Sequence, residues 1–116
     1  MNKDSEDLNK ELMEYENLEK QLEVLLIQKH QLQIQVNETK HALGELKKAK
    51  GEVYRNVGSI ILHTTKEEAE KDLKEKQDLI EMKLDAISKQ EEKLRSTVME
   101  TQKKLQERMK QYDKPA

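Results

Sequence analysis

Apolar residues recur at helical spacing along two long stretches, which flank one short segment of a different character. In the first stretch Leu18, Leu22, Leu25, Leu32, Val36, Leu43 and Leu46 step alternately by four and three, with Lys29 and Thr39 at the two polar positions of that register. Such a heptad seam winds left-handed around a partner helix. Leu8, Leu12 and Tyr15 extend the same helix in a shifted phase, so the seam is expected to change character towards its start. The helix is predicted over about residues 6–48.

The second stretch opens with Thr65-Lys66-Glu67-Glu68, which reads as a capping box: Thr65 caps the helix and Glu68 reaches back. Its seam runs through Leu73, Ile80, Ile87 and Leu94, interleaved with Leu84, Glu91, Val98, Leu105 and Tyr112. The helix is predicted over about 66–112, ending before Pro115.

Between them lies GEVYRNVGSIILHTT, Gly51 to Thr65, rich in β-branched residues and broken by Asn56-Val57-Gly58-Ser59. It predicts a β-hairpin within 52–64, Val53–Asn56 against Ile60–Thr64. Two arms of similar length joined by a tight hairpin can fold back and zip their seams. The expected class is therefore mainly α: a long antiparallel two-helix coiled coil with a single β-hairpin at the connecting end, forming one structural unit over 1–116. A parallel dimeric coiled coil interrupted by a loop is the alternative, disfavoured because the strands need their ends brought together.

An isolated two-stranded ribbon is marginal in water. This one carries Val53, Tyr54, Val57, Ile60, Ile61 and Leu62 on both faces and has two unpaired edges. Addition of hairpins from other subunits, curling into closed barrels, would bury both faces and remove the edges. Obligate oligomerisation through the hairpin follows as an expectation.

Composition narrows the function classes. Of 116 residues, 40% are charged and 34% hydrophobic, below the roughly 45–50% apolar share of ordinary globular domains. Abundant Glu, Lys, Gln and Leu with three glycines and one proline fits long helices, and the Lys and Glu density is compatible with a thermophilic source. The net charge of −2 gives no global field for nucleic acid or an anionic membrane. No stretch is long and apolar enough to span a bilayer, and neither arm sets a basic face opposite a wide apolar one. The chain is thus read as cytoplasmic and unanchored. Without cysteine, disulfides, thiolate nucleophiles and cysteine zinc sites are excluded.

Candidate chemistry is sparse. His30, His41 and His63 are not spaced as metal ligands, and Gly44, Gly51 and Gly58 form no phosphate loop. Gly51 reads as the end of the first helix, Gly58 as the turn residue and Gly44 as a site of close packing. Lys47, Lys48 and Lys50 complement a helix C-terminus. The sequon Asn37-Glu38-Thr39 falls mid-helix and reads as chance. No nucleophile–base pair stands out, so neither an enzyme nor a cofactor is expected.

The chain ends differ from the rest. Antiparallel pairing brings Leu8, Leu12, Met13 and Tyr15 towards Val98, Met99, Leu105, Met109 and Tyr112. Methionine suits adaptable, weakly selective contacts, which marks these ends as a candidate contact surface. Ordinary seam packing accounts for Leu12, Val98 and Leu105 but less well for the three methionines. The early residues Asp4, Glu6, Asp7, Glu11, Glu14, Glu16 and Glu19 are acidic, whereas Lys103, Lys104, Arg108 and Lys110 are basic. Mutual pairing of the arms is preferred as the reason over steering of a partner.

The run from Gln28 to Leu46, with NET-x-x-ALxEL at Asn37–Leu46, followed by Glu52–Leu62 with its VYRNVGSIxL, resembles the prefoldin β subunit of archaeal type. The resemblance covers nearly the whole chain, and one hairpin rather than two suggests the β class. It implies an ATP-independent chaperone: a hexamer of two α and four β subunits whose hairpins form β-barrels and whose coiled-coil tips hold non-native polypeptides for a group II chaperonin. The named tip residues would contact clients, and Val53, Tyr54, Val57, Ile60, Ile61 and Leu62 would form the assembly region. A structural or adaptor coiled coil docking one specific partner is the competing class.

Overall fold

Leu, Glu, Lys and Gln lose little side-chain freedom in a helix, and the stretches built from them fold as α1 (Lys3–Lys48) and α2 (Lys66–Tyr112). The computed structural model describes residues 3–112, with side chains from Ser5 to Gln111. Between the helices lie β1 (Val53–Val57) and β2 (Ile60–Thr64), paired antiparallel. The class is mainly α: two long helices that pair antiparallel, connected through one hairpin.

The described residues form two compact units. The hairpin unit holds α1 from Lys29, both strands, and α2 as far as Ala86; the end unit holds α1 through Gln28 and α2 from Ile87. In the hairpin unit α1 turns Lys29, Leu32, Val36, Thr39, Leu43 and Leu46 inward, and α2 answers with Glu70, Leu73, Gln77, Ile80 and Leu84. In the end unit the inward rows are Leu8, Glu11, Tyr15, Leu18, Leu22 and Leu25, with Ile87, Glu91, Leu94, Val98, Thr101 and Leu105 on α2. Every step is three or four residues.

The early seam therefore does not shift phase as expected. Leu8 and Tyr15 lie on the common register, Glu11 holds the position between them, and Leu12 points out to solvent. The leucine-tracking reading failed because one seam position is charged.

Other polar seam residues are accommodated locally. The Thr39 hydroxyl donates to the Gln35 carbonyl at 2.8 Å, and the Thr101 hydroxyl donates to Thr97 at 2.8 Å. Arg95 Nε donates to Glu91 Oε2 at 2.8 Å, so the buried carboxylate carries its own counter-ion one turn along the helix. Such i−4 bonds satisfy a buried hydroxyl without a partner on the facing helix.

The start of α2 departs in detail from a full capping box. Thr65 caps it, accepting from the Glu68 N–H at 3.1 Å, but the Glu68 carboxylate takes the Thr64 hydroxyl at 3.3 Å rather than returning to the Thr65 backbone. Thr64, the last residue of β2, sets its hydroxyl beside that carboxylate and takes the place of the cap nitrogen. At the end of α1 a cation from the other helix helps: Lys66 Nζ donates to the Lys47 carbonyl at 3.1 Å.

Val57 joins the first strand, paired with Ile60, which narrows the expected four-residue turn to Gly58-Ser59. Gly58 has φ +61°, and no other described residue is in the left-handed region, so the loop matches type II′. Neither of the other glycine expectations holds. α1 stops at Lys48, before Gly51, and a Cβ at Gly44 would meet nothing within 4 Å, so no close packing requires glycine there. Gly58→Ala should therefore weaken the hairpin by about 1–2 kcal/mol through backbone strain alone, since a Cβ there also meets nothing within 4 Å. Gly51→Ala should be near neutral. Thermal unfolding midpoints of the two variants check this contrast.

Candidate functional site

The hairpin presents two faces fixed by its register. Val53↔Thr64, Arg55↔Leu62 and Val57↔Ile60 share one face; Tyr54↔His63 and Asn56↔Ile61 share the other. Four of the six predicted assembly residues (Val53, Val57, Ile60 and Leu62) thus line one face, and Tyr54 and Ile61 the reverse. All but the half-buried Val53 are exposed, Ile61 at 68% and Ile60 at 59%. The two-stranded sheet leaves the outer edges of both strands unpaired among the described residues.

The base of the hairpin is braced. Arg55 Nη1 donates to Asp72 Oδ2 on α2 at 2.9 Å, tying the ribbon to the coil. Tyr54 packs edge-on against His63, with ring centroids 5.5 Å apart. The Glu52 carboxylate accepts from the Tyr54 hydroxyl at 2.9 Å and lies 3.6 Å from His63 Nε2. Beside β1 an open groove of about 900 Å³ is lined by Ala42, Leu46, Ala49, Val53, Leu73 and Leu79 with a charged rim. None of these groups forms a nucleophile–base arrangement, and no cluster of three metal-ligating side chains occurs among the described residues.

The predicted tip residues all fall in the end unit, but the structure sorts them into two sets. Val98 and Leu105 are buried, and Leu8 and Tyr15 are half-buried, all in the seam. Leu12 (42%), Met13 (70%), Met99 (60%) and Met109 (50%) are exposed. Tyr112 ends α2, and its side chain lies outside the described residues.

Glu11 and Arg108, whose pairing was not anticipated residue by residue, connect the two helices here at 3.2 Å, Nη1 to Oε1. Glu11 Oε2 is buried without a hydrogen-bond partner. Sequence reasoning also missed the exposed Val24, Leu26 and Ile27 of the end unit, and Ile34, Leu79 and Met82 of the hairpin unit. The run Val24-Leu25-Leu26-Ile27 was a visible signal, since one seam position cannot bury four consecutive apolar residues.

Desolvation holds the Tyr15 phenol above its ordinary range, and the charge and hydrogen bond of Glu19 add to the effect. Because the folded state favours the protonated phenol, its stabilising contribution is complete below the free phenol value of about 10 and is lost as pH rises through the higher folded value. Tyr15→Phe should therefore remove a late component from the alkaline ultraviolet titration and flatten the alkaline loss of helicity.

The family profile described as "Prefoldin subunit" matches residues 9–112. Over 52 residues the chain is 42% identical to prefoldin subunit beta of Pyrococcus horikoshii, covering 45% of this chain and 44% of that protein. Against prefoldin subunit beta of Methanosarcina barkeri it is 38% identical over 53 residues, 46% of this chain and 45% of that protein. The chain thus aligns with less than half the length of these curated relatives. The crystal structure of the prefoldin beta subunit from Thermococcus strain KS-1 superposes with a TM-score of 0.81 at 33% identity, covering 87% of this chain and 90% of that one.

Proposed function

The chain belongs to the prefoldin subunit family, and we propose that it serves as the β subunit of an ATP-independent holdase working in the cytoplasm. In this reading the hairpins of two α and four β subunits close into β-barrels. The end units hold non-native polypeptides, and the hexamer passes them to a group II chaperonin.

Exposure of Leu12, Met13, Met99 and Met109 beside the seam of the end unit is the observation that carries the proposal. Unbranched methionines adapt to many partner shapes. A single weak site of this kind gains useful affinity when several subunits engage one polypeptide. The hairpin supports the assembly half: apolar side chains on both faces of a two-stranded sheet remain exposed until other subunits cover them. The groove beside β1 offers room for side chains of a neighbour.

The competing reading is an adaptor whose end unit docks one specific partner. Aggregation assays separate the two. Equimolar complex, assembled with an α subunit, should suppress aggregation of several unrelated denatured proteins in the absence of ATP. Protection of a single substrate, or a requirement for nucleotide, would rule the holdase reading out.

A further inference from the structure

Glu11 stands where the heptad register places a core side chain, between Leu8 and Tyr15. Its Oε1 meets Arg108 Nη1 at 3.2 Å, while Oε2 is buried with no hydrogen-bond partner. Arg108 keeps 46% of its side chain exposed and Glu11 34%, so water screens the pair and it contributes little net free energy. An orphaned carboxylate oxygen adds a further cost. The adjacent residue is a leucine, and it points outward. The chain thus carries an apolar side chain one position away from the seam site that could have used it.

Resting on the reading that the end unit binds clients, we propose that the Glu11–Arg108 pair is a weak latch whose release opens the end unit. Opening parts a pair that solvent already screens and gives the buried Glu11 Oε2 the hydration it lacks, so separation costs less here than across an all-leucine seam. Leu8, Tyr15 and Leu105 then become available beside the exposed Leu12 and Met109. The closed state hides part of the binding surface until a non-native polypeptide competes for it, which limits association of empty chaperones through these same residues.

The test is made on the assembled oligomer. Replacing both ions (Glu11→Leu with Arg108→Leu) should slow amide hydrogen exchange over residues 8–18 and 98–109 by about tenfold or more. It should also raise the concentration needed to halve client aggregation by about threefold or more. Arg108→Leu alone leaves the Glu11 charge unpaired; exchange should speed up and client protection should be undiminished. The exchanged pair, Glu11→Arg with Arg108→Glu, should behave like the parent on both measures.

Unchanged exchange in the double-leucine protein would overturn the latch, and slowed exchange with undiminished protection would overturn its role in capture. A failure of the client-binding reading itself shows separately: polar replacement of the exposed Leu12, Met13, Met99 and Met109 would then leave protection intact, whatever the exchange rates.

Discussion

Ile60→Lys with Leu62→Lys should yield subunits that keep their helix content but no longer assemble, as seen by native mass spectrometry or sedimentation. Both side chains lie on the hairpin face shared with Val53, Val57 and Arg55, and both are exposed in the single chain. In the proposed barrel each would be covered by neighbouring strands. Losing two such burials removes about 3–6 kcal/mol per subunit before the charges are counted. The charges worsen it. Leu62 sits directly opposite Arg55, so a lysine there faces a guanidinium across the strand pair. The helices are spared because neither residue contributes to a seam. An intact oligomer would show that assembly runs through another surface.

The same hairpin illustrates what was legible beforehand. Its existence follows from a local cluster of β-branched residues between two heptad stretches, and the antiparallel arms follow from the tight joint. The sequence locates its turn to four residues, and the pairing of Val57 with Ile60 narrows it to Gly58-Ser59. Composition alone could not decide whether Val57 ended the strand or entered the turn.

The register near the chain start was less legible. Following leucines links Leu8, Leu12 and Tyr15 and suggests a change of phase. The backbone instead keeps one register from Leu8 to Leu46 and accepts Glu11 within it. What allows this is Arg108, nearly the whole chain away in sequence, three residues beyond Leu105 on the facing helix. A one-helix pattern carries no information about that partner. For the same reason the predicted tip residues mixed two populations: apolar residues on the seam and apolar residues beside it look alike until a facing helix covers one set.

Polar replacement of the uncovered set gives the other large effect expected of this protein. Leu12→Gln, Met13→Gln, Met99→Gln and Met109→Gln together should abolish aggregation suppression, or raise the concentration required by more than about tenfold, and leave the oligomer's mass otherwise unchanged. Each side chain is exposed in the end unit, so its loss opens no cavity and the seam residues Val98 and Leu105 keep their packing. Glutamine matches methionine in length, and both methionine and leucine in helix propensity, which isolates the loss of apolar contact. The effect should be steep because affinity is multiplied across subunits: a loss of about 1 kcal/mol per arm compounds when several arms grip one polypeptide. Deleting residues 1–13 and 109–116 should produce the same loss, though it also removes Leu8 and Glu11 from the seam. If the four-fold variant still protected unrelated clients, the binding surface would have to lie among the other exposed apolar residues. Val24, Leu26 and Ile27 in the end unit would then be the next to replace.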